Sequence, residues 1–324
     1  MGKYLLKRVI NYAVMFVIAV ALAYLLTASR LNPLLLWDIT NADLNWNSIN
    51  QSLSDKNLNP DKPLLSRFAT WLGDVIRWDW GQKPKGGSVN DEIAQRVWVS
   101  VRLVVPGFLV GVVSGVLVGA WMATKQYKLS DRLTTLWALI LLATPTFVIA
   151  VVLQIITIRI NRAFDWSFEF LGETGIRRGP WLERMLDRLE HLVLPTITLA
   201  LTGFATYSRY QRSLMLDTLH ADYVRTARAK GLTRRRAVFK HALRTALIPV
   251  GTLFAFSAAA VFVGATFTET LFGWHGMGEY LVTSIAGQDV HGAVAVAAFG
   301  GITVFLGAIL SDIFVVVLDP RVRV

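Results

Sequence analysis

Six stretches of this 324-residue chain are apolar for about twenty residues or more: 9–29, 101–124, 134–157, 193–213, 247–269 and 291–317. A helix rises about 1.5 Å per residue, so about 20 residues cross ~30 Å of hydrocarbon. Backbone N–H and C=O groups in lipid must be satisfied within the segment, which selects helices over open strands. The chain is therefore predicted to be an all-α membrane protein with six transmembrane helices. Hydrophobic residues make up 54% and charged residues 17%, which agrees with spans linked by short polar segments. The first run follows Lys3, Lys7 and Arg8 and exceeds the usual apolar core of a cleaved signal peptide, so it reads as a retained span.

The net charge of +11 does not point to nucleic acid, because the excess is confined to short segments beside the spans. Segments 1–8, 125–132, 209–244 and the tail after Val317 carry +3, +2, +8 and +1. Segments 30–99 and 158–192 are each neutral, and 270–290 holds Glu279 and Asp289 with no Lys or Arg. The positive-inside rule then puts both termini and the 214–246 loop in the cytoplasm. The expected organisation is a first span over 1–29, an external subdomain over 30–100, a five-helix core over 101–317 containing the loop 214–246, and a cytoplasmic tail over 318–324. Six of the eleven tryptophans (Trp37, Trp46, Trp71, Trp78, Trp80 and Trp98) fall in the external segment. They suit either a membrane-surface position or a docking face for an external partner.

The second span carries Gly107, Gly111, Gly115 and Gly119 at a four-residue spacing, on one helix face. Such a face lets another helix approach closely. Leucine there should disrupt packing, and alanine should be tolerated. Asp312 lies within the last span and Glu269 ends the fifth, too few acids for a proton relay. The five histidines are scattered, with no zinc-protease motif, nucleophile elbow or metal-ligand spacing. No catalytic residue or metal site is expected. The chain lacks cysteine, and its only Gly-Lys pair is Gly2-Lys3, so no phosphate-binding loop for ATP is present.

The cytoplasmic loop contains Asp222-Tyr223-Val224-Arg225-Thr226-Ala227-Arg228-Ala229-Lys230-Gly231-Leu232 and then Thr233-Arg234-Arg235-Arg236. Asp222 is a candidate N-cap and Gly231 a candidate C-terminal stop for a short helix. A second helical stretch over 234–247 leads back to the membrane at Pro249. Basic residues alone could serve as an anionic-lipid anchor, but that role does not call for a short capped helix.

These eleven residues, Asp222 to Leu232, resemble the coupling ("EAA") motif of binding-protein-dependent ABC importer permeases, in the form typical of the dipeptide/oligopeptide and nickel branch. The general motif's Glu-Ala-Ala falls on Arg225, Thr226 and Ala227, and its glycine on Gly231. Tyr4-Leu5-Leu6-Lys7-Arg8, Asp79-Trp80-Gly81, His191-Leu192-Val193-Leu194-Pro195 and Asp319-Pro320-Arg321 are similar to other elements of that family. Two positions depart from it: His275 stands where proline is usual, and Val315 where an aromatic is common. The resemblance implies a type I ABC importer permease architecture. It also implies a bacterial or archaeal cell-membrane location and transport of small peptides, with nickel, glutathione or another small solute as substrate alternatives. The implied partners are a second homologous permease, two cytoplasmic ATPase subunits that hold ATP and Mg, an external substrate-binding protein and membrane lipid. It implies no cofactor in this chain and no nucleic acid. Asp222, Tyr223, Arg225, Thr226, Ala227, Ala229, Lys230, Gly231 and Leu232 become ATPase-docking candidates, with Ala227 as the small-residue face. Glu269, Phe272, His275, Gly276 and Gly278 become external-gate candidates. The rival class is a proton-coupled secondary transporter, which would work without ATPase partners.

Overall fold

In a computed structural model, the described residues are 2–38, 44–175 and 180–318. The C-terminal Asp319-Pro320-Arg321 element and the rest of the tail lie outside them, as do parts of the 30–99 and 158–192 segments and the Val315 side chain. Among the described residues the secondary structure is helical, apart from one isolated bridge between Gln82 and Ser88. The helices are α1 (Gly2–Arg30), α2 (Trp46–Asp55), α3 (Leu64–Ile76), α4 (Val89–Thr124), α5 (Leu129–Ala143) and α6 (Thr146–Phe164). They continue with α7 (Trp181–Leu219), α8 (Asp222–Ala229), α9 (Arg234–Ala237), α10 (Leu243–Phe272), α11 (Met277–Ala286) and α12 (Val290–Leu318). Five of them are long and apolar enough to cross a membrane over the described residues, α1, α4, α6, α7 and α12. On α1, Ile10, Val14, Val17, Ile18, Leu22 and Leu26 are exposed, as side chains that face lipid would be.

The stretch 134–157, expected as one span, is broken. Thr144 adopts an extended conformation (φ −95°, ψ 123°), and Pro145 follows it as the N-cap of α6. A residue before proline is pushed out of the α region, and proline has no N–H to continue the ladder. Pro106, Pro195 and Pro249 lie inside α4, α7 and α10 without ending them.

The chain divides into two compact units. One comprises Val101–Trp274 and Leu306–Val324. In it α7 is the central element, packed against α5, α6 and α10. The four glycines of α4 meet α7 as well. A Cβ added to Gly107 would lie 2.7 Å from Leu199 Cβ, one on Gly111 2.8 Å from Ala200 O, and one on Gly115 2.8 Å from Tyr207 Cβ. On Gly119 it would run into the Ser208 carbonyl. Alanine therefore does not fit this seam as the sequence suggested, because the opposing surface is largely backbone or Cβ and has no flexible tip to swing away.

The other unit comprises Gly2–Ser100 and His275–Phe305. Its core gathers Tyr24 of α1, Leu53, Leu58, Trp71, Trp80 and Val89 with Val290, Val294 and Ala298 of α12. Tyr24 stacks on Trp71 at 4.6 Å between ring centroids, and Trp80 meets Trp71 edge-on at 6.2 Å. Trp71 and Trp80 are thus core residues. Trp78 and Trp98 stay exposed. Leu53, Leu58, Trp71, Trp80 and Val89 of the 30–100 segment are buried in a core that it shares with α1 and α12.

Candidate functional site: the elbow between α7 and α10

Between Leu219 and Leu243 the chain folds into a short elbow. Asp222 is the first residue of α8, and its cap is Ala221, which makes no side-chain capping bond; the expectation that Asp222 caps the helix is corrected on this point. Its carboxylate sits in the first turn, where it complements the helix dipole. The C-terminal stop is a complete Schellman arrangement. Gly231 N–H donates to Arg228 O at 3.0 Å, and Leu232 N–H donates to Ala227 O at 3.2 Å. Gly231 has φ +89°, a conformation that suits glycine. Thr233 then caps α9, its hydroxyl accepting from Arg236 N at 3.4 Å. A π-helical turn over Val238–Ala242 joins α9 to α10 without a break.

Two faces of α8 have different fates. Val224 and Ala227 are buried in a cluster with Ala120 and Ala123 of α4, Met215 of α7, and Ala237, Val238, Ala242 and Ala246. Leu232 packs on the same cluster. Ala227 is only 7% exposed, so it cannot offer a small-residue face to another molecule; it lets α8 sit close to the chain's own helices. Asp222, Tyr223, Arg225, Thr226, Arg228, Ala229, Lys230 and Gly231 form the exposed face. Arg225 and Asp222 pair at 3.8 Å on that face, in full contact with solvent, where such a pair contributes little.

The five gate candidates are divided between the two units, Glu269 and Phe272 in one and His275, Gly276 and Gly278 in the other. Glu269 and Phe272 are buried in the last turn of α10. Phe272 meets Phe170 edge-on at 6.4 Å, and its carbonyl accepts from Gly172 N at 2.7 Å. Gly273 closes the helix with φ +67°, and Trp274 N–H donates to Glu269 O at 2.8 Å. Gly276 is the N-cap of α11 and Gly278 lies in its first turn. Of the five, only His275 is exposed. Its ring nitrogen lies 3.1 Å from the Glu279 carboxylate.

Sequence reasoning missed the chain of ion pairs that ends on Glu279. Glu279 binds Arg96 at 2.9 Å, Arg96 binds Glu92 at 2.6 Å, and Glu92 binds Lys83 at 2.6 Å. Arg96 also lies over the Tyr280 ring, 5.0 Å from its centroid. Of these, only the Glu92–Arg96 spacing of four was visible in the sequence. The fold also brings Glu169, Asp187 and His191 together, with one possible ligand atom from each within 4.8 Å of the others.

The comparisons with known proteins agree with this architecture. Residues 115–324 match the family model described as "Binding-protein-dependent transport system inner membrane component". The whole chain is 46% identical over 327 residues to the oligopeptide transport system permease protein OppB of Mycobacterium tuberculosis, covering 100% of both proteins. It is 31% identical to the oligopeptide transport system permease protein AppB of Bacillus subtilis, over 81% of each chain. It is 30% identical to the dipeptide transport system permease protein DppB of the same organism, over 81% of this chain and 80% of the relative. With an elbow whose sequence resembles the family's motif and long apolar helices packed on α7, this chain belongs to the binding-protein-dependent transport system inner membrane component family, the permeases of ABC importers.

Proposed function

We propose that this permease forms half of a channel through which oligopeptides enter the cytoplasm, with a second, related permease forming the other half. Its relatives are oligopeptide and dipeptide transport system permeases, which supports that substrate class. ATP is hydrolysed, with Mg, in two separate ATPase subunits that dock on the cytoplasmic side. An external binding protein delivers the peptide. The termini and the elbow face the cytoplasm, in keeping with the excess of Lys and Arg in those segments.

The division of α8 into two faces carries the reading. Val224 and Ala227 fix the helix to α4, α7 and the start of α10, so a push on α8 is passed to elements that run into the membrane. The other face presents Tyr223, Thr226, Ala229 and a set of cations to a partner. A short helix laid in a groove is a recurrent recognition mode, and an exposed aromatic is a natural anchor. The test is reconstitution of this chain with its sister permease, ATPases and binding protein in vesicles. Tripeptide uptake should require ATP and survive collapse of the proton gradient. Uptake by the permeases alone, driven by the gradient, would instead establish a secondary transporter.

A further inference from the structure

Loop 165–175 folds back onto the first turns of α7, and three side chains converge there. Asp187 and His191 lie one helical turn apart on α7, and Glu169 comes from the loop. Asp187 and His191 are 2% and 1% exposed. Glu169 Oε2 lies 3.6 Å from His191 Nε2, and one ligand atom from each of the three residues falls within 4.8 Å of the others.

The hydrogen bonds around this cluster leave acceptor atoms facing one another. His191 Nδ1 lies 2.8 Å from Asp187 O. A carbonyl only accepts, so Nδ1 carries the proton, and in the neutral ring Nε2 carries a lone pair. That lone pair faces the Glu169 carboxylate, another acceptor. A proton on Nε2 does not bridge the gap well, because 3.6 Å exceeds a hydrogen bond. Asp187 Oδ2 accepts from Gly175 N at 2.8 Å, but buried Oδ1 has no hydrogen-bond partner. Orphaned buried carboxylate oxygens are costly, and a bound cation is one resolution. Gly175 leaves room for it. A Cβ at that position would come 2.5 Å from Glu169 Oε2, 2.9 Å from Asp187 Oδ1 and 3.3 Å from His191 Cε1. A cleft of about 420 Å³ lined by Gly175, Arg184, Asp187 and Arg188 lies beside Asp187.

We propose that Glu169, Asp187 and His191 bind a divalent transition-metal ion of the zinc class. Zinc bonds to nitrogen and oxygen run at about 2.0–2.2 Å, which puts neighbouring ligand atoms about 3.4 Å apart in a tetrahedron. The Glu169–His191 separation is close to that. The Asp187 carbonyl on Nδ1 is the usual outer partner of a metal-bound imidazole, fixing its tautomer and orientation. One nitrogen and two carboxylates suit zinc, cobalt or manganese better than calcium, which takes six to eight oxygens. The ion pins loop 165–175 to α7 and leaves a fourth position open to water or an incoming ligand.

The experiment uses the purified full-length permease in detergent, with an affinity tag that contains no histidine. After incubation with Zn²⁺ and dialysis, metal analysis should find one ion per chain. Titration with Co²⁺ should give visible d–d bands of a tetrahedral centre. E169Q and D187N should weaken binding at least tenfold, and H220Q should bind as wild type. Should D187N fail to fold, E169Q decides, since Glu169 is half exposed and its loss removes no core packing. Less than a tenth of an ion per wild-type chain overturns the proposal. So does an E169Q protein that binds Zn²⁺ and Co²⁺ as tightly as wild type.

Discussion

Arg212 grips Asp131 with two parallel bonds, Nε to Oδ1 at 2.6 Å and Nη2 to Oδ2 at 2.8 Å. Asp131 is 2% exposed and also accepts from Tyr127 N–H at 2.9 Å, so it holds the α4–α5 turn to the lower part of α7. Breaking a buried pair from one side strands the other charge. Asp131→Asn should therefore destabilise the permease, toward the lower end of the roughly 3–5 kcal/mol typical of such losses, because Arg212 is partly solvated. The hydrogen bond from Arg212 holds the Asp131 carboxyl below its ordinary value. Its contribution is thus complete above the ordinary carboxylate pKa of about 3.9 and is lost as pH falls through the depressed value. Thermal unfolding in detergent should show the full penalty of Asp131→Asn from pH 5 to 8 and a shrinking one below pH 4.

The α4 glycines provide a graded test of close packing. Gly111→Ala should cost about 1–3 kcal/mol, because its Cβ meets the Ala200 carbonyl and Gly203 Cα. Gly111→Leu should prevent assembly. Gly73 in α3 is the control. A Cβ there meets nothing within 4 Å, so Gly73→Ala should stabilise by roughly 0.5–1 kcal/mol through helix propensity. Unfolding curves that rank Gly111→Ala with Gly73→Ala would sink the packing account.

Asp289, just before α12, is the acid whose pH response should be seen in the neutral direction. Burial pushes its carboxyl up to about 6, against a backbone bond from Gly292 N–H at 3.0 Å. A raised carboxyl makes the folded state bind the proton more tightly than the unfolded chain does. Its stabilisation is full below about pH 4 and is lost as pH rises to about 6. Asp289→Asn keeps an acceptor for Gly292 and removes the charge. The variant should be more stable than wild type at pH 7.5, with the gain fading by pH 4.5 in matched thermal melts.

The spans and the elbow were legible in the sequence for different reasons. Twenty apolar residues leave few alternatives, and a glycine after a short amphipathic run marks a stop whatever surrounds it. The break at Thr144–Pro145 is local too, but a proline alone does not mark it, since Pro106, Pro195 and Pro249 sit inside unbroken helices. What stayed hidden depends on contacts between distant segments. Nothing in the sequence ties Arg212, at the end of the 193–213 stretch, to Asp131, its partner 81 residues away. Glu169 carries no spacing signal toward His191, although Asp187 and His191 four apart on a helix do share one face. Ala227 was placed on the correct helix and the wrong side of it. The alternation of small and charged residues gives the period of α8, but the identity of its buried face is set by α4 and α7.

That reversal changes the decisive test of coupling. Ala227→Trp would disrupt the permease's own core, so a loss of uptake there says nothing about docking. The exposed face is the informative one. Tyr223→Ala removes a 42% exposed ring whose loss opens no cavity in this chain. It should leave membrane abundance and melting behaviour unchanged while lowering both peptide uptake and co-purifying ATPase severalfold. Gly231 separates backbone geometry from bulk. A Cβ at Gly231 meets nothing within 4 Å, so its only obstacle is φ +89°. Gly231→Ala should cost about 1–2 kcal/mol of local strain, Gly231→Asn less, and Gly231→Val the most, since a branched side chain tolerates this conformation worst. If α8 transmits the motion of the ATPases, uptake should fall in that same order, Asn then Ala then Val, with the stalled variants still in the membrane. Equal uptake by Gly231→Val and Gly231→Asn, together with normal ATPase binding by Tyr223→Ala, would place the coupling contact elsewhere on the chain.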